Sequence, residues 1–230
     1  MCTLDYIRSN YLALCEELEN IAVKCGTRVP TLVCVTKSGT DEELLALAAA
    51  GAADIGENRP QELKRRRELL LDNGFSPRFH QIGTLQRNKV KTVIDGVALI
   101  HSVDSLKLAQ DINRLAEARG IITPILLEIN SAKEENKSGI FPEFAEEILA
   151  EVMKLNSVSV RGLMTMGPAC SDAEDLRKYF RLTKKLFDEL NSRYGFGDNP
   201  ILSMGMSDSY RVAQEEGSTL VRVGRRLFIK

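Results

Sequence analysis

The chain has 230 residues, a length that suits one large domain with a substantial core. Its 31 lysines and arginines nearly balance 32 aspartates and glutamates, and the resulting net charge of −1 argues against a nucleic-acid-binding face. Because no apolar run reaches about 18 residues and no basic segment precedes an apolar stretch at the N-terminus, we expect a cytoplasmic protein with no membrane partner.

The five cysteines are odd in number, scattered along the chain and never paired as CxxC. This pattern predicts reduced thiols and argues against a zinc-binding arrangement, so we expect no metal site. Cys34, inside the first predicted strand, is expected to be a small core residue.

Helical and strand-like segments alternate along the whole chain. An amphipathic helix over 3–25 comes first and is expected to cover one end or side of the fold. The predicted strands are 31–36, 54–57, 78–83, 98–103, 123–130, 160–166, 201–206 and 219–225. The predicted helices between them are 41–50, 60–73, 87–95, 105–119, 142–155, 172–193 and 208–216. Eight such strands favour a single (β/α)8 barrel domain over 1–230, with the N-terminal helix as an addition. The alternative is an open doubly wound sheet, because periodicity does not show that a sheet closes.

Lys37 follows the first predicted strand, and a capping box of Thr40 and Glu43 then opens the next helix. A lysine at the carboxyl end of a buried strand is expected to have few solvent neighbours, so its amine loses a proton more easily and can attack a carbonyl carbon. The alternative is an ordinary solvated lysine. In a barrel, the carboxyl ends of all strands share one mouth, where binding residues gather.

The last two strands end in segments that suit a phosphate group. Gly205 and Ser207 follow strand seven, and Gly224 and Arg225 follow strand eight. Barrel phosphate sites are commonly built from these two loops, where glycines let backbone N–H groups approach the anion. We therefore expect a phosphate site there.

Arg222 lies in the otherwise apolar run 220–224 and is expected to be buried. A buried guanidinium requires an acid, a ligand or a ring nitrogen as its partner, and an internal ion pair with Glu57 or Glu128 is one alternative. A lysine at one wall of the mouth and a phosphate site opposite meet the needs of pyridoxal 5′-phosphate (PLP). An arginine facing the pyridine nitrogen would keep it unprotonated, which makes the cofactor a weaker electron sink.

Several segments together resemble the pyridoxal phosphate homeostasis protein family, which shares its barrel with the N-terminal domain of alanine racemase. They are VCVTKSGT at 33–40, IGENRPQEL at 55–63, HQIGTLQRNK at 80–89, HSVDS at 101–105, KSGI at 137–140, RGLMTMGP at 161–168 and LSMGMSDSYRVAQEEGSTLVRVG at 202–224. The resemblance spans essentially the whole chain. The chain departs from common family patterns at Arg59 and Gln81, which puts local packing near the cofactor in question.

The resemblance implies a set of cofactor-binding residues. Lys37 would hold PLP as an internal aldimine, Arg222 would face the pyridine nitrogen, and Asn58 and Met166 would lie near the cofactor. The loops that carry Ser207, Gly224 and Arg225 would bind the phosphate. Family members are mostly monomeric, have no established turnover, and are thought to buffer PLP or deliver it to PLP-dependent apoenzymes.

Three functions are consistent with these residues. The first is a PLP carrier without efficient turnover, since no second domain with a tyrosine base is expected and Arg222 weakens the electron sink. His80 and Tyr210 are expected to be structural, so no catalytic residue is assigned. The second is a slow amino-acid racemase or lyase with Lys37 as base. The third is a cofactor-free barrel that binds another phosphorylated metabolite.

The basic run 64–67 is expected to form a solvated helix face.

Overall fold

Eight parallel strands close into a barrel in the computed structural model, which describes residues 4–168 and 172–230. Each strand pairs with the next along the chain, and β8 pairs with β1 through Cys34 and Val223 among others. The strands are β1 (Thr31–Val35), β2 (Asp54–Glu57), β3 (Arg78–Gln81), β4 (Leu99–Val103), β5 (Thr123–Glu128), β6 (Val158–Met164), β7 (Ile201–Ser203) and β8 (Leu220–Val223). The predicted (β/α)8 barrel is confirmed, and the open sheet is wrong because β8 closes onto β1.

Helices surround the barrel in the predicted order. They are α1 (Asp5–Cys25), α2 (Asp41–Ala49), α3 (Pro60–Asp72), α4 (Val90–Val93), α5 (Leu106–Glu117), α6 (Ala145–Val152), α7 (Arg177–Tyr194) and α8 (Tyr210–Glu215). Short 3-10 turns precede α4, α6 and α7, and a fourth follows β8 over Arg225–Leu227. The predicted start of the first helix at residue 3 lies outside the described residues. Within the described ranges, no helix combines the length and apolarity that crossing a bilayer requires.

Strand alternation divides the apolar residues into two cores. One core lies between the sheet and the helices and includes Cys34, Ile55 and Leu127. The other fills the barrel interior and consists of residues from alternate strand positions, Val33, Leu99, Leu126, Met164 and Leu220. Each fully buried leucine or valine contributes about 1.5–3 kcal/mol relative to exposure to water. Burial also raises the pKa of the Cys34 thiol, which fits its expected role as a core residue.

Helix α1 covers the side of the barrel where the last elements of the chain pack. The Asn10 side chain donates to the carbonyl oxygen of Ile229 at 2.8 Å. The Gln214 amide of α8 donates to the Leu18 carbonyl at 2.8 Å, and the Tyr210 hydroxyl donates to Glu17 at 2.6 Å. These bonds join residues 193 to 219 positions apart in the sequence, so α1 fixes α8 and the C-terminal turn against the barrel.

Candidate functional site

The residues predicted to form the site lie along one continuous arc of the barrel mouth. They lie in or directly after β6, β7, β8, β1 and β2, which are consecutive neighbours in the closed sheet, with Arg222 inside β8 and the others in the loops after the strands. The residues are Met166, Ser207, Arg222, Gly224, Arg225, Lys37 and Asn58. One expectation is corrected. The Lys37 turn and the predicted phosphate loop after β8 are adjacent, not opposite, because β1 and β8 pair directly.

The turn that carries Lys37 is held from below by a buried arginine of α3. The Arg66 guanidinium donates to the Thr36 carbonyl and, at 2.7 Å, to the Gly39 carbonyl, so it is hydrogen-bonded to both ends of the turn. Glu57 accepts from Arg66 at 2.8 Å and from the Thr36 hydroxyl. We call this group, Arg66, Glu57 and the two carbonyls, the turn clamp. It fixes the backbone on both sides of Lys37.

Two expectations about this region are wrong. Lys37 is exposed and is not shielded from solvent, since the strand ends at Val35 and the chain turns outward after the buried Thr36. The run 64–67 is not a fully solvated face, because Arg66 is only 6% exposed. Arg66 lies three residues after Leu63 and four before Leu70 on α3, and this spacing turns it toward the core.

The predicted capping box does form, with Thr40 and Glu43 bonded to each other's backbone N–H groups.

The loops after β7 and β8 approach each other closely enough to hydrogen-bond. The Gly224 N–H donates to the Ser207 hydroxyl at 3.2 Å. A Cβ on Gly224 would lie 2.9 Å from the Val35 carbonyl oxygen, so a side chain at this position would push the loop after β8 away from β1. In the described part of the chain, the backbone N–H groups of Ser207 and Arg225 have no acceptor within hydrogen-bond distance. This arrangement can bind an anion through main-chain donors.

The Arg225 side chain is exposed and forms an ion pair with Asp208, which lies in the loop after β7. Because this carboxylate engages the guanidinium, the backbone N–H group is the donor that Arg225 offers to the predicted phosphate site.

Arg222 is buried, at 3% exposure, and its side chain is held by neutral groups. The guanidinium donates to the Ser203 hydroxyl and, at 3.1 Å, to the Thr165 carbonyl oxygen. Among residues 4–168 and 172–230 it has no carboxylate within ion-pair distance, so the alternative of an internal ion pair with Glu57 or Glu128 is wrong. Burial lowers the pKa of Arg222 to about 10, with Glu128 opposing the shift, and the group stays cationic at neutral pH.

A cavity of about 250 Å³ opens beside the arc, between the loops after β5 and β6. Glu128, Asn130, Lys137 and Met166 line it, and Met166 is 44% exposed. Burial raises the pKa of Glu128 to about 7; Asp104 adds to this shift and Arg222 opposes it. Near neutral pH, this carboxyl group can therefore hold or release a proton.

Asn58 is half-buried directly after β2. Its carbonyl oxygen accepts a hydrogen bond from the Gln81 side chain at 2.9 Å, and Gln81 also donates to the Gly83 carbonyl at 2.9 Å. Gln81 thus ties together the loops after β2 and β3. At this position, where the sequence puts local packing in question, the side chain is held by two hydrogen bonds to the backbone.

Several residues that support the site were not found from the sequence. Arg66 and Thr165 bond to site residues or to their chain neighbours, His101 bonds to Ser203, which is a partner of Arg222, and Asp54 is linked to His101 through His80. His101 could have been found, since it occupies the same inward-facing phase of β4 that His80 occupies in β3. His80 is hydrogen-bonded at both ring nitrogens, in agreement with its predicted structural role. Tyr210 likewise contacts Glu17 and Arg226, as expected of a packing residue.

Comparisons with known proteins agree with this architecture. The family model described as "Alanine racemase, N-terminal domain" matches residues 8–229. The pyridoxal phosphate homeostasis protein of Aquifex aeolicus is 39% identical over 216 residues, which cover 92% of this chain and 93% of that relative. The structure of PipY from Synechococcus elongatus with PLP bound superposes with a TM-score of 0.84 at 29% identity, covering 97% of this chain and 100% of PipY. An alanine racemase of Clostridium difficile, at 20% identity and a TM-score of 0.78, shares the fold over 98% of this chain and 59% of the racemase.

Proposed function

The chain belongs to the pyridoxal phosphate homeostasis protein family, and from this premise we propose that it binds PLP and acts in the homeostasis of that cofactor. The observation that carries the proposal is the meeting of three groups on adjacent strands. An exposed lysine follows β1, a buried arginine lies on β8, and backbone N–H groups that have no acceptor among the described residues follow β7 and β8.

These residues fit the chemistry of PLP. When bound, the cofactor supplies an aldehyde that links covalently to an amine and a ring that withdraws electrons from that link. Lys37 offers the amine. The N–H groups of Ser207 and Arg225 and the Ser207 hydroxyl offer donors for the phosphate, in the loop that Gly224 brings close to β1. Asn58 and Met166 border the same arc and would contact the ring.

Arg222 favours storage of the cofactor over turnover. Guanidinium groups only donate hydrogen bonds, so a ring nitrogen facing Arg222 must accept and cannot carry a proton. By keeping that nitrogen unprotonated, Arg222 would weaken the electron-withdrawing chemistry that the ring supplies, and this favours holding the cofactor over turnover of a substrate. In the described ranges, moreover, the tyrosine nearest the β7 loop in sequence, Tyr210, donates to Glu17 of α1 and is not available as a base in the mouth.

We therefore propose that the protein holds PLP on Lys37 in the cytoplasm, acts as a monomer, and releases the cofactor to PLP-dependent apoenzymes without efficient turnover of its own. The barrel that it shares with alanine racemases supports one alternative, a low-activity racemase or lyase with Lys37 as base. Turnover of alanine, lysine or serine above the rate of free PLP, lost in Lys37→Ala, would support this alternative and contradict the carrier.

Binding can be tested by titrating the protein with PLP and recording the absorption spectrum. Lys37→Ala should abolish the visible band, whereas Lys24→Ala, an exposed lysine at the end of α1, should leave it unchanged. Ser207→Asp should weaken binding by repulsion of the phosphate, and Ser76→Asp, exposed before β3 at the opposite end of the barrel, serves as its control. A colourless wild-type protein would contradict the proposed function, and unaltered binding by Ser207→Asp would contradict the phosphate site.

A further inference from the structure

A file of five buried polar side chains, hereafter the interior file, crosses the inside of the barrel. The Arg222 guanidinium donates to the Ser203 hydroxyl. That hydroxyl lies 3.0 Å from Nδ1 of His101, and Nε2 of His101 lies 3.0 Å from Nδ1 of His80. Nε2 of His80 lies 2.8 Å from Oδ1 of Asp54. All five residues are buried, so each link depends on its neighbours in the file for a donor or an acceptor.

The two ends of the interior file lie at opposite ends of the barrel and carry opposite charges. Arg222 is the third residue of β8, near the mouth, and Asp54 is the first residue of β2, at the amino end. Asp54 also accepts two bonds, of 2.7 and 2.6 Å, from Arg78, whose side chain is 65% exposed. Burial alone would raise the pKa of Asp54, but the hydrogen bonds from His80 and Arg78 outweigh it and hold the pKa below its usual value. Asp54 is therefore a carboxylate at neutral pH.

The chemistry of the end groups restricts where the hydrogens lie. Arginine only donates, so Ser203 must accept from Arg222. A carboxylate only accepts, so Nε2 of His80 must carry a hydrogen. Burial, with His80 and Arg222 acting in the same direction, lowers the pKa of His101 well below its usual value, so this ring is neutral and carries one hydrogen.

Two positions for the His101 hydrogen are then possible. With the hydrogen on Nε2, His101 donates to His80 and accepts from Ser203, and every hydrogen in the file has an acceptor. With the hydrogen on Nδ1, Ser203 receives two donors, and within the described ranges no other acceptor lies within reach of its own hydrogen. That arrangement also requires a second hydrogen, and so a positive charge, on His80. An unpaired buried hydroxyl is unfavourable, so the first arrangement is the stable one.

We propose that Asp54, His80, His101 and Ser203 are positioning residues for Arg222. Asp54 fixes the hydrogen of His80 on Nε2, the two histidines pass this orientation along the file, and Ser203 consequently turns a lone pair toward the guanidinium. The inference rests on the proposed function, in which Arg222 faces the ring nitrogen of PLP.

This orientation has a consequence at the mouth. The Ser203 hydroxyl and the Thr165 carbonyl hold two of the guanidinium's five N–H bonds, and Thr165 is itself fixed by its hydroxyl, which donates to the Ile129 carbonyl at 2.9 Å. The guanidinium plane is therefore set by the protein before any ligand binds. If the hydroxyl hydrogen of Ser203 faced Arg222 instead, two donors would oppose each other and the guanidinium would move.

The tautomers can be measured without the cofactor. The chain has two histidines, so long-range ¹H–¹⁵N NMR resolves His80 and His101 directly. We expect both rings to be neutral with the hydrogen on Nε2. Asp54→Asn keeps an acceptor oxygen and Arg78→Ala keeps the link from Asp54 to His80, so both variants should retain these tautomers. Asp54→Ala should populate the Nδ1–H form of both rings. A wild-type His101 with its hydrogen on Nδ1, or unchanged tautomers in Asp54→Ala, would overturn the proposal.

The effect on the cofactor is measured with Ser203→Ala. This change removes one of the two acceptors of Arg222, so it should shift the absorption maximum of bound PLP and weaken PLP binding about tenfold, the usual effect of losing a hydrogen bond to a charged group. Ser218→Ala removes another buried hydroxyl, which bonds to the Leu202 and Met204 carbonyls and not to Arg222, and should change neither quantity. A Ser203→Ala protein that binds PLP with the wild-type spectrum and affinity would overturn this inference alone. A wild-type protein that binds no PLP would instead overturn the proposed function, and with it the role of the file toward the cofactor.

Discussion

Arg66 shows how a single buried charge can serve a neighbouring functional residue. It reaches from α3 beneath the turn of Lys37 and bonds to the carbonyls of Thr36 and Gly39, while Glu57 neutralises it. Buried ion pairs are weak evidence for net stabilisation, because both charges lose hydration. The turn clamp is better understood as a device that fixes the position of the Lys37 backbone.

Breaking this clamp from one side should be costly. Arg66→Met leaves Glu57 buried without its ion-pair partner, so we expect a loss of about 3–5 kcal/mol in the free energy of unfolding by urea. The double variant Arg66→Met with Glu57→Gln should recover a large part of that loss. Arg65→Met on the same helix removes an exposed pair with Asp41, at 2.7 Å, and should cost at most about 1 kcal/mol. Equal losses for Arg65→Met and Arg66→Met would show that the clamp is not a buried pair in solution.

The raised pKa of Glu128 predicts that the stability of the protein falls as the pH rises. Its pKa is about 7 in the folded protein, against 4.5 for an ordinary glutamate, because of its burial. Between these two values, the folded state keeps a proton that the unfolded state has lost, so the Glu128 contribution to stability falls as the pH rises from 4.5 to 7. The full penalty above pH 7 is on the order of 3 kcal/mol.

The variant Glu128→Gln removes this penalty. We expect it to be more stable than the wild type at pH 8, by roughly 2–3 kcal/mol, and close to the wild type near pH 4.5, as measured by chemical unfolding at both values. Glu147→Gln, an exposed carboxyl on α6, should give a difference within about 0.5 kcal/mol at either pH. A gain for Glu128→Gln that is the same at both pH values would contradict the proton linkage.

At the scale of elements, the turn after β7 depends on a glycine that other residues cannot replace. Gly205 has φ of +91°, and a Cβ there would lie 2.6 Å from the Ala213 Cβ and 2.9 Å from the Tyr210 Cα. Both neighbours belong to α8, so the glycine lets the helix pack directly over the turn. The same turn leads to Ser207 and to the candidate phosphate loop.

Gly205→Ala should therefore destabilise the protein by two separate effects. The left-handed backbone alone costs an alanine about 1–2 kcal/mol, and the contact with α8 should add about 1–3 kcal/mol. Gly51→Ala isolates the first effect, because Gly51 has φ of +100° and no atom of the described residues lies within 4 Å of its added Cβ. Thermal or urea unfolding of the two variants gives the difference. If Gly51→Ala and Gly205→Ala lose the same stability, α8 does not pack as described.

The strands illustrate what an apolar pattern can and cannot define. Strand β2 has the predicted bounds, 54–57, and the other seven differ mainly at their ends. Strand β7 was predicted to extend to residue 206 but ends at Ser203, and β6 was predicted to extend to residue 166 but ends at Met164. Met166 and Met206 read as strand residues because they are apolar. They lie in loops because the hydrogen bonds between the strands end before these positions, and the chain then leaves the sheet to form the loops around the mouth.

For the whole molecule, the number and order of elements were predictable, since eight alternating strand and helix patterns allow few folds. The arc of candidate residues followed from that fold, because the carboxyl ends of parallel strands must meet at one mouth. The supporting contacts were less accessible. Arg66 belongs to a basic run that is typical of an exposed helix face, so its burial was not predicted. The bond from Arg222 to Ser203 depends on how far β7 and β8 are shifted along each other, which periodicity does not give. Both contacts depend on how the elements pack against one another in three dimensions.

We propose that one lysine, Lys37, carries the cofactor at the junction of β1 and β8. The most direct test is borohydride reduction of the PLP-loaded protein, followed by peptide mapping of the modified lysine. We predict a single pyridoxyl group on the peptide that contains Lys37, loss of the visible absorption band on reduction, and no stable adduct in Lys37→Ala. A modified lysine elsewhere with Lys37 intact, or a protein left unmodified after exposure to PLP, would contradict the account.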